Sequence, residues 1–424
     1  MSANGVIEVA IIGGGLAGAA LANALLKHRH INVNIFESAP EFSERGAAVG
    51  IDLNAQGAFA EIGGAVTDVV ERAGGVAMDS SRMVMGAGPN ALEKIFDLEP
   101  EQRGKAVHRA ALLAELLKPI DETQKHTSKR VCQIEDSDSS RAVIRFEDGT
   151  QFHADAVIGA DGVRGYVRTH ILGKDHPATP AQRSDFWDAR SLVTVEKAKE
   201  ILGNDYFAEQ RQYGYVGDGG FFLHDGHDDG KMVQFVVSGV SRNEIWAEDE
   251  WSKKLDREAL EKNIEGWFIP SLHERVVEVM LQNPDLKAFP QTHHAIDAPT
   301  YAKGALCIMG DAAHCMTPWQ GSGAAQALED TVILEAVLGR VKNPKQIPAA
   351  FTAYDKARRA RTQKIVHSSA GTGVILCGRG EDIGLDLAKI QGFLPERWNF
   401  IYKHNQAESK KAALADFEKL SGPN

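Results

Sequence analysis

The first forty residues alternate between blocks of different period. Val6-Ile7-Glu8-Val9-Ala10-Ile11-Ile12 is almost continuously apolar, which predicts a buried parallel strand. A run of small residues, Gly13-Gly14-Gly15-Leu16-Ala17-Gly18, interrupts it, and Leu16 to Lys27 then reads as an Ala- and Leu-rich helix. A second apolar strand, Val33 to Phe36, ends on Glu37. Strand, glycine turn, helix and strand make one βαβ unit. Two later runs repeat the strand-to-turn form: Asp155 to Asp161-Gly162, and Gly304 to Gly310-Asp311. Phe146-Glu147-Asp148-Gly149-Thr150 is a hairpin signal before the first of them.

From about Ser184 the pattern changes. Phe186 to Val195, Phe207 to Val216, Phe221 to Leu223 and Met232 to Val240 read as strands separated by Gly/Asp turns. Glu248 to Met280 reads as helical, as does the tail from Phe351 onward. The expected organisation is an α/β, Rossmann-type domain over 1–183 and 291–370, a sheet-plus-helix domain inserted over 184–290, and a helical segment over 371–424. Part of 75–100 is open to joining the inserted domain.

The glycine spacing carries chemistry. Gly13 permits a tight turn, Gly15 lets the backbone approach a pyrophosphate, and Gly18 lets helix pack closely on strand. The helix that follows aims free N–H groups and its positive dipole end at phosphates. Glu37 stands nineteen residues after Gly18, where a carboxylate accepts ribose hydroxyl hydrogens. These residues point to a dinucleotide without separating FAD from NAD.

The set formed by Gly13–Gly18, Asp161-Gly162 and Gly310-Asp311-Ala312-Ala313-His314, with Pro318, Gly321 and Gly323, resembles the single-component FAD-dependent aromatic hydroxylases. The resemblance covers nearly the whole chain. It implies a para-hydroxybenzoate-hydroxylase-like fold, non-covalent FAD, NADH or NADPH as transient electron donor, and O2 as co-substrate. Gly13, Gly15, Leu16, Ala17 and Gly18 would hold the pyrophosphate, with Glu37 and Ser38 on the adenosine side. Arg45, Ala48, Arg109, Val131 and Asp161 fall in segments the family places beside FAD. Asp311 would accept a ribityl hydroxyl, and Gly321, Ser322, Gly323 and Ala324 would pass the flavin ring. The helix near Gly323 would favour the charge of the reduced ring. Gly165 stands where the family usually has Ser.

Arg190 lies in the first inserted strand, where a desolvated guanidinium would hold a carboxylate or phenolate by paired hydrogen bonds. His224 is a weaker pocket candidate. Pro318 and Trp319 belong to the flavin loop. Many relatives acting on phenolic acids carry His after that proline; Trp319 cannot remove a proton but can stack on a ring. His314 is expected to anchor the loop rather than act as a base. Glu329 and Asp330 read as a solvated or capping pair.

Arg358, Arg359 and Arg361 are similar to the family's closing arginine cluster. Glu396 to His404, followed by a charged helix, looks like the salicylate-hydroxylase branch. This implies hydroxylation of a phenolic acid through a flavin C4a-hydroperoxide, with loss of CO2 to give a catechol. Two other readings stay open: hydroxylation or dearomatisation of another phenol or polyketide without decarboxylation, and a flavin-binding redox or sensor protein that does not hydroxylate.

Composition narrows the remaining classes. The 424 residues are 43% hydrophobic, enough for more than one core. A net charge of −11 disfavours nucleic acid as a partner. No apolar run approaches the ~20 residues of a membrane helix, and Met1 to Gly5 lead straight into the first strand, so no signal peptide is expected. Cys132, Cys307, Cys315 and Cys377 show no CxxC or metal spacing, so reduced thiols in an intracellular compartment are expected. A cytoplasmic, metal-free monomer or homodimer acting on a small aromatic molecule is expected.

Overall fold

The computed structural model describes residues 6–43, 48–77, 81–97, 104–137, 140–207, 209, 211–227, 231–241, 246–247 and 250–422. Its first sheet has six strands in the order Ala302–Lys303, Leu306–Ile308, Ala156–Gly159, Ile7–Ile12, Ile31–Phe36 and Lys125–His126. All neighbours run parallel except the first pair. The strands are buried on both faces, which explains their unbroken apolar runs. Helices Leu16–Leu25, Gly323–Leu338 and Ile347–Leu376 pack around this sheet. The carboxyl ends of four strands bring Gly13, Glu37, Asp161 and Gly310 to one edge, the edge where open α/β sheets bind ligands.

A second sheet of eight strands has the order Lys253–Lys254, Lys287–His293, Gln182–Thr194, Met232–Val240, Gly220–His227, Gln212–Val216, Ser81–Met85 and Lys94–Asp97. The last two come from the first hundred residues, and Ser81–Met85 joins by parallel pairing with Gln212–Val216. Side chains alternate between its faces. Trp187, Ala189, Phe222, Phe235 and Val237 pack beneath helices Val195–Leu202, Arg257–Asn263 and Pro270–Met280. Phe186, Asp188, Arg190, Phe221, Leu223, Gln234, Val236 and Ser238 occupy the opposite face.

Two three-stranded sheets complete the fold: Gln151–Ala154, Ser140–Phe146 and Val131–Ser137, and Ala48–Ile51, Lys105–His108 and Val76–Ala77. Gly149, at φ 82°, makes the turn expected before Gln151. Among the described residues no helix is long and apolar enough to cross a membrane.

Candidate active site

The glycine turn is built by close approach. A β-carbon on Gly13 (φ 111°) would stand 2.2 Å from the Ala160 carbonyl oxygen, and one on Gly18 would stand 2.0 Å from the Gly13 carbonyl oxygen. The first motif therefore touches both the second strand-end motif and its own helix. Gly15 caps the helix Leu16–Leu25 without a side-chain hydrogen bond, and the first turn carries no acid. With no acid beside it, the positive end of the helix dipole faces the glycine turn and favours an anion there. Glu37 accepts hydrogen bonds from the Gly14 and Ala39 N–H groups at 2.8 and 2.7 Å, and from the Ser38 hydroxyl at 3.1 Å.

The C-terminal motif meets the same turn. A β-carbon on Gly310 (φ 58°) would lie 3.0 Å from Ala17 Cβ. Asp311 follows at the exposed edge, beginning the short helix Asp311–His314. Gly321 (φ 63°) turns the loop into the helix Gly323–Leu338, whose first turn also lacks an acid; the Ser322 hydroxyl donates back to the Gln320 carbonyl instead of capping it. Leu16, Ala17 and Ala324 line one small apolar recess. Two acid-free helix N-termini, a strand-end acid and backbone kept bare by glycine all fit FAD stretched along this edge.

Asp161 accepts a hydrogen bond from the Val167 N–H at 3.0 Å, and burial pushes its carboxyl up to about 6. Arg168, unassigned by the sequence, is buried and donates to the carbonyls of Ala178, Thr179, Ala312 and Ala313. It staples the central motif to the Asp311 helix. Arg109 opens the helix Arg109–Leu117, and Val131 opens a strand, both half-buried. Ala48 begins the strand Ala48–Ile51. Arg45 lies outside the described residues.

Glu329 and Asp330 are not solvated; this corrects the expectation from sequence. Both are fully buried, with Arg358 Nη1 at 2.6 Å from Glu329, Arg358 Nε at 2.8 Å from Asp330 and Arg361 Nε at 2.7 Å from Glu329. Burial alone would raise both acids, but for Glu329 the two arginines, and for Asp330 His314 and Arg358, outweigh it and hold them low. Asp330 also accepts from the Gly310 N–H at 2.9 Å and lies 2.6 Å from His314 Nε2. His314 thus anchors the loop.

Between the flavin loop and the open face of the second sheet lies a cleft of about 300 Å³. Its lining includes Pro318, Trp319 and Gly321 from the loop, Phe221, Leu223 and Val236 from the sheet, and Trp398 and Tyr402 from the C-terminal segment. Trp319 meets Phe186 and Phe221 edge-on at 5.0 and 5.9 Å. Arg190 lines the cleft but is not desolvated: its side chain is 56% exposed and donates to Asp188 at 3.1 Å. His224 does not line it. It pairs with Phe235 in register and shares that residue's helix-facing side, stacked on Tyr213, with burial pushing its imidazole down to about 3. The pleat, which sends Leu223 and Asp225 to the cleft, sends His224 away. Asp52 and Tyr402, absent from the sequence-based candidates, both line the cleft.

A Rossmann-type sheet with three converging motifs, facing a lidding sheet across an aromatic cleft, defines a flavoprotein monooxygenase. The model of the FAD binding domain family matches residues 6–369, and the chain belongs to that family. The 6-methylsalicylate 1-monooxygenase of Aspergillus terreus (strain NIH 2624 / FGSC A1156) is 34% identical over 382 residues, covering 88% of this chain and 83% of that protein. Salicylate hydroxylase of Pseudomonas putida is 29% identical over 94% of this chain and 92% of its own. A salicylate hydroxylase solved as a substrate complex superposes with a TM-score of 0.84 at 24% identity, over 97% of this chain and 98% of that one. The chain is an FAD-dependent monooxygenase with the fold of these proteins.

Proposed function

We propose that the enzyme hydroxylates a phenolic aromatic acid of the salicylate type, with loss of CO2 to give a catechol, using NADH or NADPH and O2. The observation that carries this is the cleft: an aromatic-lined cavity, with Trp319 and Phe221 meeting edge-on in its lining, directly beside the Pro318–Gly321 loop. The redox chemistry, hydride acceptance from a nicotinamide and activation of O2, would be supplied by FAD held along the Gly13–Gly18 and Gly310–Ala324 edge. The protein's part is to orient the ring, exclude water and manage a proton. The relatives named for salicylate and 6-methylsalicylate support the acid as substrate. The test is NAD(P)H oxidation by the FAD-loaded protein with salicylate, 6-methylsalicylate and resorcinol. Salicylate-type acids should stimulate it and release CO2; stimulation by no acid would overturn the reading.

A second reading is hydroxylation of a neutral phenol without decarboxylation. One observation favours it. Among the described residues lining the cleft, Arg190 is the only lysine or arginine, and Asp188 already engages it. Stimulation by resorcinol alone, without CO2, would select this reading.

A further inference from the structure

Oxygen transfer to a phenol is assisted by removing the phenolic proton, because the phenolate is the more electron-rich ring. Trp319, the residue after Pro318, has no acceptor for that proton. His224 faces away from the cleft. Asp188 is engaged by Arg190, and Asp225 sits on the sheet with Gln212 Nε2 at 3.4 Å. Asp52 differs from all of these. It occupies the N-cap position of the helix Leu53–Ile62, yet its carboxylate accepts no cap hydrogen bond. It turns into the cleft, where Oδ2 lies 4.0 Å from the position of a β-carbon on Gly321, so it looks at the flavin loop itself. Tyr402, from the C-terminal segment, lines the cleft with it and favours its charged form.

The pair is held from both sides. Asn54 Nδ2 donates to Glu329 Oε1 at 2.9 Å, fixing the start of the helix that follows Asp52. Arg361, bound to the same Glu329, donates to the Phe400 and Ile401 carbonyls at 3.0 and 3.2 Å, fixing the chain next to Tyr402. One buried acid therefore sets the spacing of two cleft groups 350 positions apart in sequence.

Resting on the phenol-hydroxylase reading above, we propose that Asp52 is the catalytic proton acceptor and Tyr402 its positioning residue. The substrate O–H bond breaks, its electron pair stays on the phenolate oxygen, and the proton forms a new O–H bond on the Asp52 carboxylate. Tyr402 keeps its own proton and donates a hydrogen bond throughout. After product leaves, Asp52 returns the proton to water through the cleft. Burial pushes Asp52 up to about 6 and the Tyr402 hydrogen bond opposes this. Among the described residues Tyr402 is the titratable side chain that bears on it, and none of the described cations does. The carboxylate form is the active one, so hydroxylation rises with pH through about 6.

The test uses the FAD-loaded protein and whichever phenol of the panel turns over fastest. Asp52→Asn should lower hydroxylation kcat/KM at pH 7 by roughly 100-fold, abolish the acid limb, and recover where the phenol ionises in water. FAD content should be retained. The ultraviolet difference spectrum of the bound phenol should show phenolate in the wild type above the limb and neutral phenol in Asp52→Asn. Tyr402→Phe, which keeps the carboxylate and serves if Asp52→Asn loses FAD, should move the limb upward because a charge-stabilising hydrogen bond is lost. A kcat/KM of Asp52→Asn within about threefold of wild type, far short of a general-base effect, a phenolate spectrum in that variant, or an unmoved limb in Tyr402→Phe overturns the assignment while leaving the hydroxylase reading intact. A wild type that turns over no phenol overturns both.

Discussion

A β-carbon on Gly165 would stand 2.1 Å from Asp161 Oδ1. Gly165 has an ordinary φ of −61°, so space rather than backbone freedom requires glycine there. The central motif is closed on itself: the Asp161 carboxylate fills the volume that a side chain at position 165 would need. Gly165→Ser should push Asp161 aside and break its 3.0 Å hydrogen bond from Val167. Overpacking and a lost bond of this kind cost about 1–3 kcal/mol. A thermal melt that shows no loss of Tm in Gly165→Ser would refute this packing.

The buried Glu329–Arg358 contact predicts a pH-dependent variant. Glu329→Gln leaves Arg361 without its acid and Arg358 with Asp330 alone, which should cost about 3–5 kcal/mol. Glu329 is held below its ordinary range in the folded protein, by Arg358 and Arg361 against the opposing effect of burial. Its stabilisation is therefore fully present above the unfolded carboxylate value of about 4.3 and is lost as pH falls toward the folded value. Urea titrations should show a gap between wild type and variant that is constant above pH 5 and closes on acidification. A gap that widened in acid would have the wrong sign.

The sequence made the parallel sheet legible because both-face burial writes itself as continuous apolar runs, as in Ile7–Ile12 and Ala156–Gly159. The three motifs were legible because strand ends and small residues are local signals. The cleft was not. In Gly220–His227 both faces carry aromatics, Phe221 toward the cleft and Phe222 toward the helices, so hydrophobicity could not assign His224 a side. Glu329 and Asp330 looked solvated because their partners, Arg358 and Arg361, stand on another helix. Asp52 and Tyr402 meet only through tertiary structure, and no periodicity marks either one.

At the glycine turn the expected effect is on flavin affinity. Gly18→Ala places a β-carbon 2.0 Å from the Gly13 carbonyl oxygen, backbone that cannot yield cheaply. It should give protein with strongly reduced FAD content. Glu37→Ala removes acceptors for the Gly14 and Ala39 N–H groups and, if Glu37 holds the adenosine ribose, that contact too, and should weaken FAD binding by roughly 1–3 kcal/mol. Fluorescence titration of the flavin-stripped variants measures both. Wild-type affinity in Glu37→Ala would dissociate this acid from the cofactor.

Arg190 tests how the substrate is oriented. It lies on the cleft face of Gln182–Thr194, paired with Asp188 and half open to water, so it can swing toward a ligand at little desolvation cost. If it engages a substrate carboxylate, Arg190→Gln should lose a charged hydrogen bond of about 1.5–3 kcal/mol, raising KM roughly 10- to 100-fold. FAD content should not change, because the residue stands across the cleft from the flavin loop. Coupling should fall, since a mispositioned ring lets reducing equivalents escape as H2O2. Lysine should rescue only partly, lacking the bidentate fork. One alternative is that Arg190 merely neutralises Asp188, whose carboxyl burial already pushes upward. The double variant Arg190→Gln with Asp188→Asn separates the two. A restored KM and coupling would assign Arg190 to its neighbour; a KM as poor as in Arg190→Gln alone assigns it to the substrate.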